Sequence, residues 1–293
     1  MPRRPALFPA LLALALALAL ATACHGQEEL VVFHSEGLSP LLGELAQRLG
    51  RQTPALRIRL EPSPSALAVR KVTELGLAAD VVALADSGLA GPLRDARRMA
   101  AWHPLATDEV VLAHKDHSRH TDEVGTRNWT EVIDRPGVRL GCASPETSEA
   151  GLHAQMTWQL AGQQGLRLRC QRDNTVPGEA ELIALLEARA VDYAFVHRST
   201  ASVHHLKVTA LPREWNLSSL ELADAYRTAS VGDGASAHVG RPIEVGLAFL
   251  RGAKNPKGAQ RLLDALRSEL GRRALERAGF HPLGPSAWMA GEP

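Results

Sequence analysis

Short apolar runs alternate with stretches of helical spacing through most of this chain, and that alternation restricts the fold more than any other feature. Residues 30–33 predict a buried strand, the leucines of 41–49 recur at helical spacing, and residues 56–60 alternate as a half-exposed strand does. A helix from Ser65 and a buried strand over 80–84 follow. The order strand, helix, strand, helix, strand predicts a parallel sheet covered by helices.

The same alternation continues toward the carboxyl terminus. The pattern predicts strands over 108–113, 138–141, 191–196 and 243–250, helices over 129–133, 151–161 and 179–186, and one long amphipathic helical stretch over 256–278. A length of 293 residues suits two lobes of about 100–150 residues each better than one small core.

Composition excludes several classes of function. The 33 lysines and arginines nearly balance the 32 acidic residues, so a strongly basic nucleic-acid binder is excluded. Three cysteines are too few for a disulfide scaffold or a four-thiolate zinc site. His114, His117 and His120 lie in a polar stretch, which predicts a surface loop and not a metal site. Common hydrolase, zinc-protease and phosphate-loop motifs are absent, so we expect no catalysis and no cofactor.

Residues 1–23 have the three parts of a secretory signal peptide, namely positive charge, an apolar stretch and small residues. Cys24 follows directly, and residues 20–24 resemble the lipoprotein box of bacteria, although Ala21 stands where a larger aliphatic residue is usual. We therefore expect export and a lipid on Cys24 that ties the chain to a membrane. The alternatives are cleavage near Ala23, which frees the chain, and an uncleaved membrane anchor.

Export places Cys142 and Cys170 in an oxidising compartment. The sequence leaves two possibilities open, a disulfide between them or two buried thiols.

Three segments share the pattern of a strand end, a Ser/Gly loop and a helix start, at residues 34–39, 62–65 and 143–151. Free amide groups at a helix start, beside a serine hydroxyl, form an anion site. In open α/β sheets, ligands bind beyond the carboxyl ends of the strands. Three such loops meeting at one cleft would hold a small oxyanion without any arginine or lysine. For each loop alone, the alternative is that serine only caps the helix.

Taken together, these segments resemble the extracellular solute-binding proteins of ABC importers, and within them the tungstate/molybdate-binding group. The resemblance is carried by residues 32–39, 70–76, 79–86, 128–138, 151–158, 182–187, 192–199 and 255–256. It implies an α/β, two-lobed periplasmic-binding-protein-like fold (type II). Each lobe would be a mixed, mostly parallel sheet flanked by helices, and two crossing strands would form the hinge.

The resemblance also implies where the lobes divide. Lobe 1 would contain residues 28–106 and 245–293, and lobe 2 residues 107–244. The candidate crossing strands are residues 108–113 and 243–250.

The family pattern assigns residues to a ligand site. Ser65 matches a serine that contacts the oxyanion, whereas Gly37 stands in place of a first-loop serine. Ser35 or a backbone amide must therefore replace the missing hydroxyl as a ligand contact. Ser148 stands where the tungstate group carries an aspartate, and Val196 or His197 falls where a second carboxylate is expected. The predicted ligand-binding residues are Ser35, Glu36, Gly37, Ser65, Ser148, Glu149, Ala150, Gly151, His197 and Tyr226.

Two alternatives for ligand geometry stay open. The site holds a tetrahedral oxyanion through amides and hydroxyls alone, or Glu36 or Glu149 supplies an oxygen in place of the missing carboxylates. Glu36 is alternatively a solvated loop residue, and Tyr226 a core residue with its hydroxyl satisfied.

The resemblance implies a monomeric binding component that captures tungstate or molybdate and delivers it to the permease and ATPase subunits of an ABC importer. A lipid on Cys24 would attach it to a membrane, and no nucleic acid is involved. The alternatives are an exported sensor or partner-binding module with the same fold, or a binder of another anion such as sulfate or phosphate.

Overall fold

The computed structural model describes residues 28–173, 175–234 and 237–289. The predicted signal peptide, residues 1–23, and the predicted lipidation site, Cys24, lie outside the described residues. Within those three ranges, no helix has both the length and the apolar character that a membrane crossing requires.

The described chain alternates strands and helices, as the sequence pattern predicts. The strands are β1 (Glu28–Ser35), β2 (Leu56–Ser63), β3 (Val81–Leu84), β4 (Met99–Asp108), β5 (Val110–His114), β6 (Leu140–Ala143), β7 (Thr175–Val176), β8 (Tyr193–His197), β9 (Lys207–Ala210), β10 (Ser230–Val231), β11 (His238–Val239), β12 (Ile243–Leu250) and β13 (His281–Pro282). The helices are α1 (Ser39–Gln52), α2 (Ser65–Thr73), α3 (Gly91–Asp95), α4 (Trp129–Ile133), α5 (Glu149–Leu160), α6 (Gly165–Asp173), α7 (Glu179–Glu187), α8 (Arg198–Val203), α9 (Ala223–Tyr226), α10 (Pro256–Arg267), α11 (Glu269–Arg277) and α12 (Pro285–Met289).

The first sheet has the strand order β13-β4-β12-β3-β1-β2. β1 pairs in parallel with β2 and β3, whereas β12 runs antiparallel to both β3 and β4. On one face, Leu30 and Val32 pack with leucines of α1 and α10, and on the other Phe33 packs with Val69 of α2 and Leu93 of α3. Both faces are therefore covered, which explains why the inner strands β1, β3 and β12 are nearly continuous apolar runs, whereas β2 at the edge alternates.

The second sheet has the order β7-β6-β8-β5-β9. β6 pairs in parallel with β7 and β8, and β5 runs antiparallel to β8 and β9. Phe195 packs edge-on against Trp129 and Trp158 on one face, with ring centroids 5.6 Å and 5.3 Å away. The other face is covered by α7 and α8. The predicted α/β class with two mixed sheets is confirmed. The expectation that each sheet is mostly parallel is wrong, because the strands that return from the other sheet, such as β12, and the strands β5 and β9 add antiparallel pairs.

A disulfide joins Cys142 of β6 to Cys170 of α6, with the Cα atoms 5.6 Å apart. Of the two possibilities that the sequence left open for these cysteines, the structure has the pairing. Both residues lie in the apolar core of the second sheet, so the bond ties a sheet strand to its covering helix.

The chain passes from the first sheet to the second between β4 and β5, with Glu109 between them. It returns at Ile243, which pairs with Asp108 and whose amide donates to the carbonyl of Leu217. The predicted single strand over 108–113 is therefore divided at Glu109, and β4 begins as early as Met99 because it pairs along β12. The predicted lobe boundaries stay a prediction.

The Glu109 carboxylate is held from both sides of this crossing. Arg198 donates to Oε1 at 2.8 Å, Asn216 donates to Oε2, and His281 Nε2 lies 3.2 Å from Oε1. Burial alone would raise the pKa of Glu109, but hydrogen bonds from His281 and Arg198 hold it below its usual value. His281 belongs to the first sheet and Arg198 follows a strand of the second, so one charge binds both.

The long helical stretch predicted over 256–278 is wrong in one respect. It divides into α10 and α11 at Ser268, whose backbone is extended and whose hydroxyl accepts a hydrogen bond from the Gly271 amide. Serine favours this capping position because its side-chain oxygen satisfies an otherwise unpaired amide of the first turn.

Candidate functional site

A cavity of about 470 Å³ lies where strand ends of the two sheets meet. Its first side follows β1, β2 and β3 through Ser35, Ser65 and Ala85. Its second side follows β6, β7 and β8 through Glu149, Glu179 and His197, among others. All six strands present their carboxyl ends, the edge at which ligands bind in open α/β sheets.

Four helices begin at this cavity, α2 at Ser65, α5 at Glu149, α7 at Glu179 and α8 at Arg198. In the described part of the chain, none of their N-cap side chains accepts a hydrogen bond from a first-turn amide. At α8 the Arg198 amide already donates to the Glu109 carbonyl and the Ser199 amide to Asp108 Oδ1. The first-turn amides of α2, α5 and α7 are donors, and the dipoles of these helices add positive potential at the same place. An anion in the cavity would satisfy them.

We call Ser35, Ser65 and Ala85 the hydroxyl wall. The Ser35 hydroxyl accepts from the Ala85 amide at 3.1 Å and donates to Ser65 Oγ at 2.9 Å. Both serines are buried. Ser65 Oγ donates in turn toward Glu149 Oε2 at 3.5 Å, which carries the hydrogen-bond line across the cavity to the second sheet.

We call Glu149, Glu179 and His197 the ionisable wall. His197 Nδ1 lies 3.2 Å from Glu179 Oε1, which also accepts from the His197 amide at 2.6 Å, and Thr200 donates to Glu179 Oε2 at 2.9 Å. Burial lowers the pKa of His197, but the charge of Glu179 outweighs it and raises that pKa to about 10. Burial raises the pKa of Glu179, but the His197 charge holds it below its usual value. The pair is therefore an imidazolium and a carboxylate.

His153 connects the His197–Glu179 pair to a second ionisable group, Asp86. His197 Nε2 lies 2.9 Å from His153 Nδ1, and His153 Nε2 lies 3.4 Å from Asp86 Oδ2. Burial lowers the pKa of His153, which is then neutral beside charged His197. We assign the protons accordingly, with His197 Nε2 donating to His153 and His153 Nε2 donating to Asp86.

Asp86 is the last side chain in this hydrogen-bonded series, and it lies on the side of the first sheet. Arg241 Nη2 donates to Asp86 Oδ2 at 3.0 Å, and the Gly88 amide donates to Oδ1 at 2.9 Å. Burial raises the pKa of Asp86, yet His153 and Arg241 together lower it well below the ordinary range. Because Asp86 follows β3 and His153 belongs to α5, this contact joins the two sides of the cavity.

Glu149 differs from its neighbours because the pKa of its carboxyl lies near neutral pH. Burial and the nearby charge of Asp86 raise the pKa of Glu149 to about 7, against smaller opposing effects of His197 and Ser65. Both its acid and its carboxylate forms are therefore populated at neutral pH.

The structure brings together most of the residues that the sequence assigned to a site. Those lining the cavity are Ser35, Glu36, Gly37, Ser65, Ser148, Glu149, Ala150 and His197. Glu36 and Gly37 are exposed in the 3-10 turn after β1. Val196 lies in the apolar core of the second sheet, 1 % exposed, and presents no oxygen to a ligand.

Two assigned residues do not line the cavity. Gly151 is buried against the preceding loop, where an added Cβ would lie 2.5 Å from the Ala143 carbonyl oxygen, so its part is to let α5 approach that loop. Tyr226 is fully buried, donates its hydroxyl to the Arg213 carbonyl and receives a hydrogen bond from the Ser219 amide. The placement of Tyr226 agrees with the core alternative and not with a ligand contact.

Sequence reasoning missed Asp86, His153 and Glu179. Residues 176–179 repeat the strand, Pro/Gly loop and helix-start pattern of the other loops, which was a usable signal for Glu179. β7 has only two residues, too few to recognise as a strand. His153 lies on an unbroken buried helix, and nothing in the sequence distinguishes it from a core residue.

The three spaced histidines do not come together, and the predicted surface loop is wrong for His114, which ends β5 and is buried. His114 bonds Thr121, His117 bonds the Leu186 carbonyl, and His120 bonds Glu123. Across residues 28–173, 175–234 and 237–289, no group of three or more histidine, cysteine or acidic side chains is arranged to hold a metal ion.

Comparison with known proteins agrees with this architecture. A solute-binding protein of Petrotoga mobilis is 32% identical over 271 residues, covering 88% of this chain and 84% of its own. The molybdate/tungstate-binding protein of Pyrococcus abyssi is 29% identical over 280 residues, covering 83% of this chain and 81% of its own.

Among solved structures, the periplasmic molybdate-binding protein of Azotobacter vinelandii superposes with a TM-score of 0.62 at 15% identity. The superposition covers 87% of this chain and 99% of that one. At this identity the likeness concerns the fold, and it confirms the predicted periplasmic-binding-protein-like arrangement. The model of one family, described as bacterial extracellular solute-binding protein, matches residues 30–281. The resemblance predicted from the sequence is confirmed, and the chain belongs to the bacterial extracellular solute-binding protein family.

Proposed function

We propose that this protein is the substrate-binding component of an ABC importer that captures a small inorganic oxyanion, tungstate or molybdate, in the cavity between the two sheets. It catalyses no reaction. The relative from Pyrococcus abyssi, which carries molybdate/tungstate in its name, supports this choice of ligand.

The convergence of the starts of α2, α5 and α7 on one cavity is the observation that carries the proposal. Their first-turn amides, together with the Ser65 hydroxyl, are neutral donors. Neutral donors bind a dianion without neutralising it, so they leave the ligand free to dissociate when the cleft opens. The His197 imidazolium adds positive potential, although Glu179 offsets most of it.

The remaining parts of the proposal concern the setting of the protein. A lipid on Cys24 would hold the exported monomer at a membrane, beside the permease and ATPase subunits that receive the ligand. Support comes from the small residues before Cys24 and from the extracellular character of the family.

Sulfate and phosphate are second candidates, because neither position at which a second carboxylate was expected supplies one. Val196 is an apolar side chain packed in the core, and His197 is an imidazolium. Without that carboxylate, the site is suited to four-oxygen anions in general, and the choice between them is left to hydrogen bonding.

Calorimetric titration with tungstate, molybdate, sulfate and phosphate tests the proposal. We expect at least one of these anions to release or absorb heat and to raise the melting temperature by mass action. A wild-type protein that binds none of the four would refute the function.

The location of the site is tested by adding one negative charge at a helix start. Ala180 is exposed, lines the cavity and lies in the first turn of α7, where an acidic residue stabilises a helix. We expect Ala180→Asp to fold normally and to lose anion binding. Ala184→Asp places the same charge on an exposed position one turn further along and outside the cavity lining, and it should bind as wild type does.

A further inference from the structure

Glu149 lies on the second side of the cavity and accepts a hydrogen bond from Ser65 on the first side. It is the first residue of α5, and its Oε2 atom lies 3.5 Å from Ser65 Oγ, which is bonded to Ser35. An anion held by the amides of α2 and α5 would lie beside this carboxyl group.

Every other buried carboxylate around Glu149 is already engaged. Asp86 binds Arg241 and His153, Glu179 binds His197, and Asp108 accepts from the Ser199 hydroxyl and amide. In the described ranges, Glu149 has a hydrogen bond from Ser65 and no salt bridge. Among the described carboxyls of this cavity that are buried or half-buried, Glu149 therefore has the fewest hydrogen-bond partners, and its negative charge would repel an incoming anion.

The hydrogen-bonding groups of the ligand determine which protonation state of Glu149 can bind it. Tungstate, molybdate and sulfate carry no proton at neutral pH, so each of their oxygens accepts hydrogen bonds only. A carboxylate is also an acceptor only, whereas a carboxylic acid donates one hydrogen bond. A hydrogen bond between such an anion and Glu149 thus requires a proton on the carboxyl, whereas a direct bond from a carboxylate oxygen to the tungsten or molybdenum atom would not.

We propose that Glu149 binds the oxyanion as the neutral acid and donates its proton to an anion oxygen, so that one proton enters the cleft with each dianion. This rests on the proposed function. No covalent bond forms or breaks; the carboxylate takes its proton from solvent as the anion enters and returns it on release.

The surroundings of Glu149 favour this proton. The negative charges of Asp86 and Glu179 favour protonation of Glu149, and the positive charge of His197 opposes it. The other ionisable groups around the cavity are Asp108, neutral His153 on the same helix, Arg241 behind Asp86, and the exposed carboxyls of Glu36 and Glu181. Burial and Asp86 raise the pKa of Glu149 to about 7 in the empty cleft, and a bound dianion raises it further.

The direction of the pH effect follows. Below pH 7 the acid is present before the ligand arrives, and affinity is highest. Above pH 7 each ligand must bring a proton from solvent, so affinity falls by about tenfold from pH 8 to pH 9.

Calorimetry of the full chain with sodium molybdate and with sodium sulfate, at pH 8 in Tris and in imidazole, measures the proton directly through the buffer ionisation heat. We expect an uptake of about 0.9 proton per anion at pH 8. Zero uptake, or proton release, would overturn the proposal while leaving anion binding established.

Glu149→Gln supplies a permanent donor that does not titrate. We expect this variant to bind molybdate at pH 9 at least as tightly as wild type and to show no pH dependence from Glu149 between pH 7 and pH 9. Glu131→Gln removes an exposed carboxylate that does not line the cavity and should keep the wild-type slope.

Loss of binding by Glu149→Gln at every pH, with the melting temperature unchanged, would show that a carboxylate oxygen is needed and would overturn the proposal. If the variant fails to fold, the proton count on wild type decides alone. Absence of binding by wild type to every anion at pH 6.5 would instead remove the proposed function itself.

Discussion

The two walls of the cavity hold their polar side chains in place by different interactions. The hydroxyl wall holds its serines by hydrogen bonds that carry no charge, from Ala85 to Ser35 and from Ser35 to Ser65. The ionisable wall holds its groups by opposite charges, with His197 between Glu179 and the His153–Asp86 contact. The first wall thus fixes geometry with little dependence on pH, while the second sets charge.

This difference has an energetic origin. A buried hydroxyl needs only one or two partners to offset its desolvation, whereas a buried ion needs a counter-ion and further hydrogen bonds. Removing one member of the His197–Glu179 ion pair should therefore affect folding, and removing a group from the hydroxyl wall should affect mainly anion binding.

The largest effect is expected for His197→Gln. The change leaves the largely buried Glu179 carboxylate without its cation, which costs about 3–5 kcal/mol of unfolding free energy. Urea unfolding at pH 7 measures it. The double variant His197→Gln/Glu179→Gln should recover part of the loss; a single variant as stable as wild type would show that the pair contributes nothing to folding.

The disulfide distinguishes the sheets that support the two walls. Cys142 and Cys170 are 28 residues apart in sequence, and losing the link in Cys142→Ala/Cys170→Ala should cost about 2–4 kcal/mol. Hydrogen exchange should show faster opening in β6 and α6, with β1 and β3 little changed. Equal acceleration in both sheets would mean that they unfold as one unit.

Ser65→Ala removes a donor from the hydroxyl wall. We expect anion affinity to fall by about 1–3 kcal/mol, because the ligand loses one hydrogen bond in a desolvated site. Thr73→Ala, at the other end of α2, removes a hydroxyl that bonds only the Val69 carbonyl and should leave affinity unchanged. Calorimetric affinities that are equal for wild type and Ser65→Ala would place the ligand elsewhere.

The smallest effect is a slope of stability with pH that only the ionisable wall produces. Since the folded pKa of His197 is about 10 and its ordinary value 6.5, the stabilisation is complete below pH 6.5 and is lost as pH rises toward 10. Between pH 7 and pH 8, wild type should lose up to about 1.4 kcal/mol more than His197→Gln does. Parallel slopes in chemical unfolding would contradict a charged His197.

The sequence predicted the elements of both sheets where a regular pattern coincided with burial. Helix α1 was evident from Leu41, Leu42, Leu45 and Leu49, all of which are buried on one face. Helix α4 was predicted with its observed bounds. The strand from Met99 was missed because Pro104 interrupts it and because its partner β12 comes more than 130 residues later.

The hydroxyl wall was more predictable than the ionisable wall for a physical reason. Ser35 and Ser65 lie at strand ends and helix starts, which are local features of the sequence. The contact between His153 and His197 joins residues 44 positions apart, and their charges depend on Glu179 and Asp86 together. Such a network exists only after the two sheets are in place.

Glu109 has a mechanical consequence for the junction between the two sheets. A single residue separates β4 from β5, and its carboxylate touches His281 on one side and Arg198 and Asn216 on the other. A rotation of one sheet against the other at this residue would stretch those three contacts together. The junction therefore resists bending, although only one residue connects the two strands.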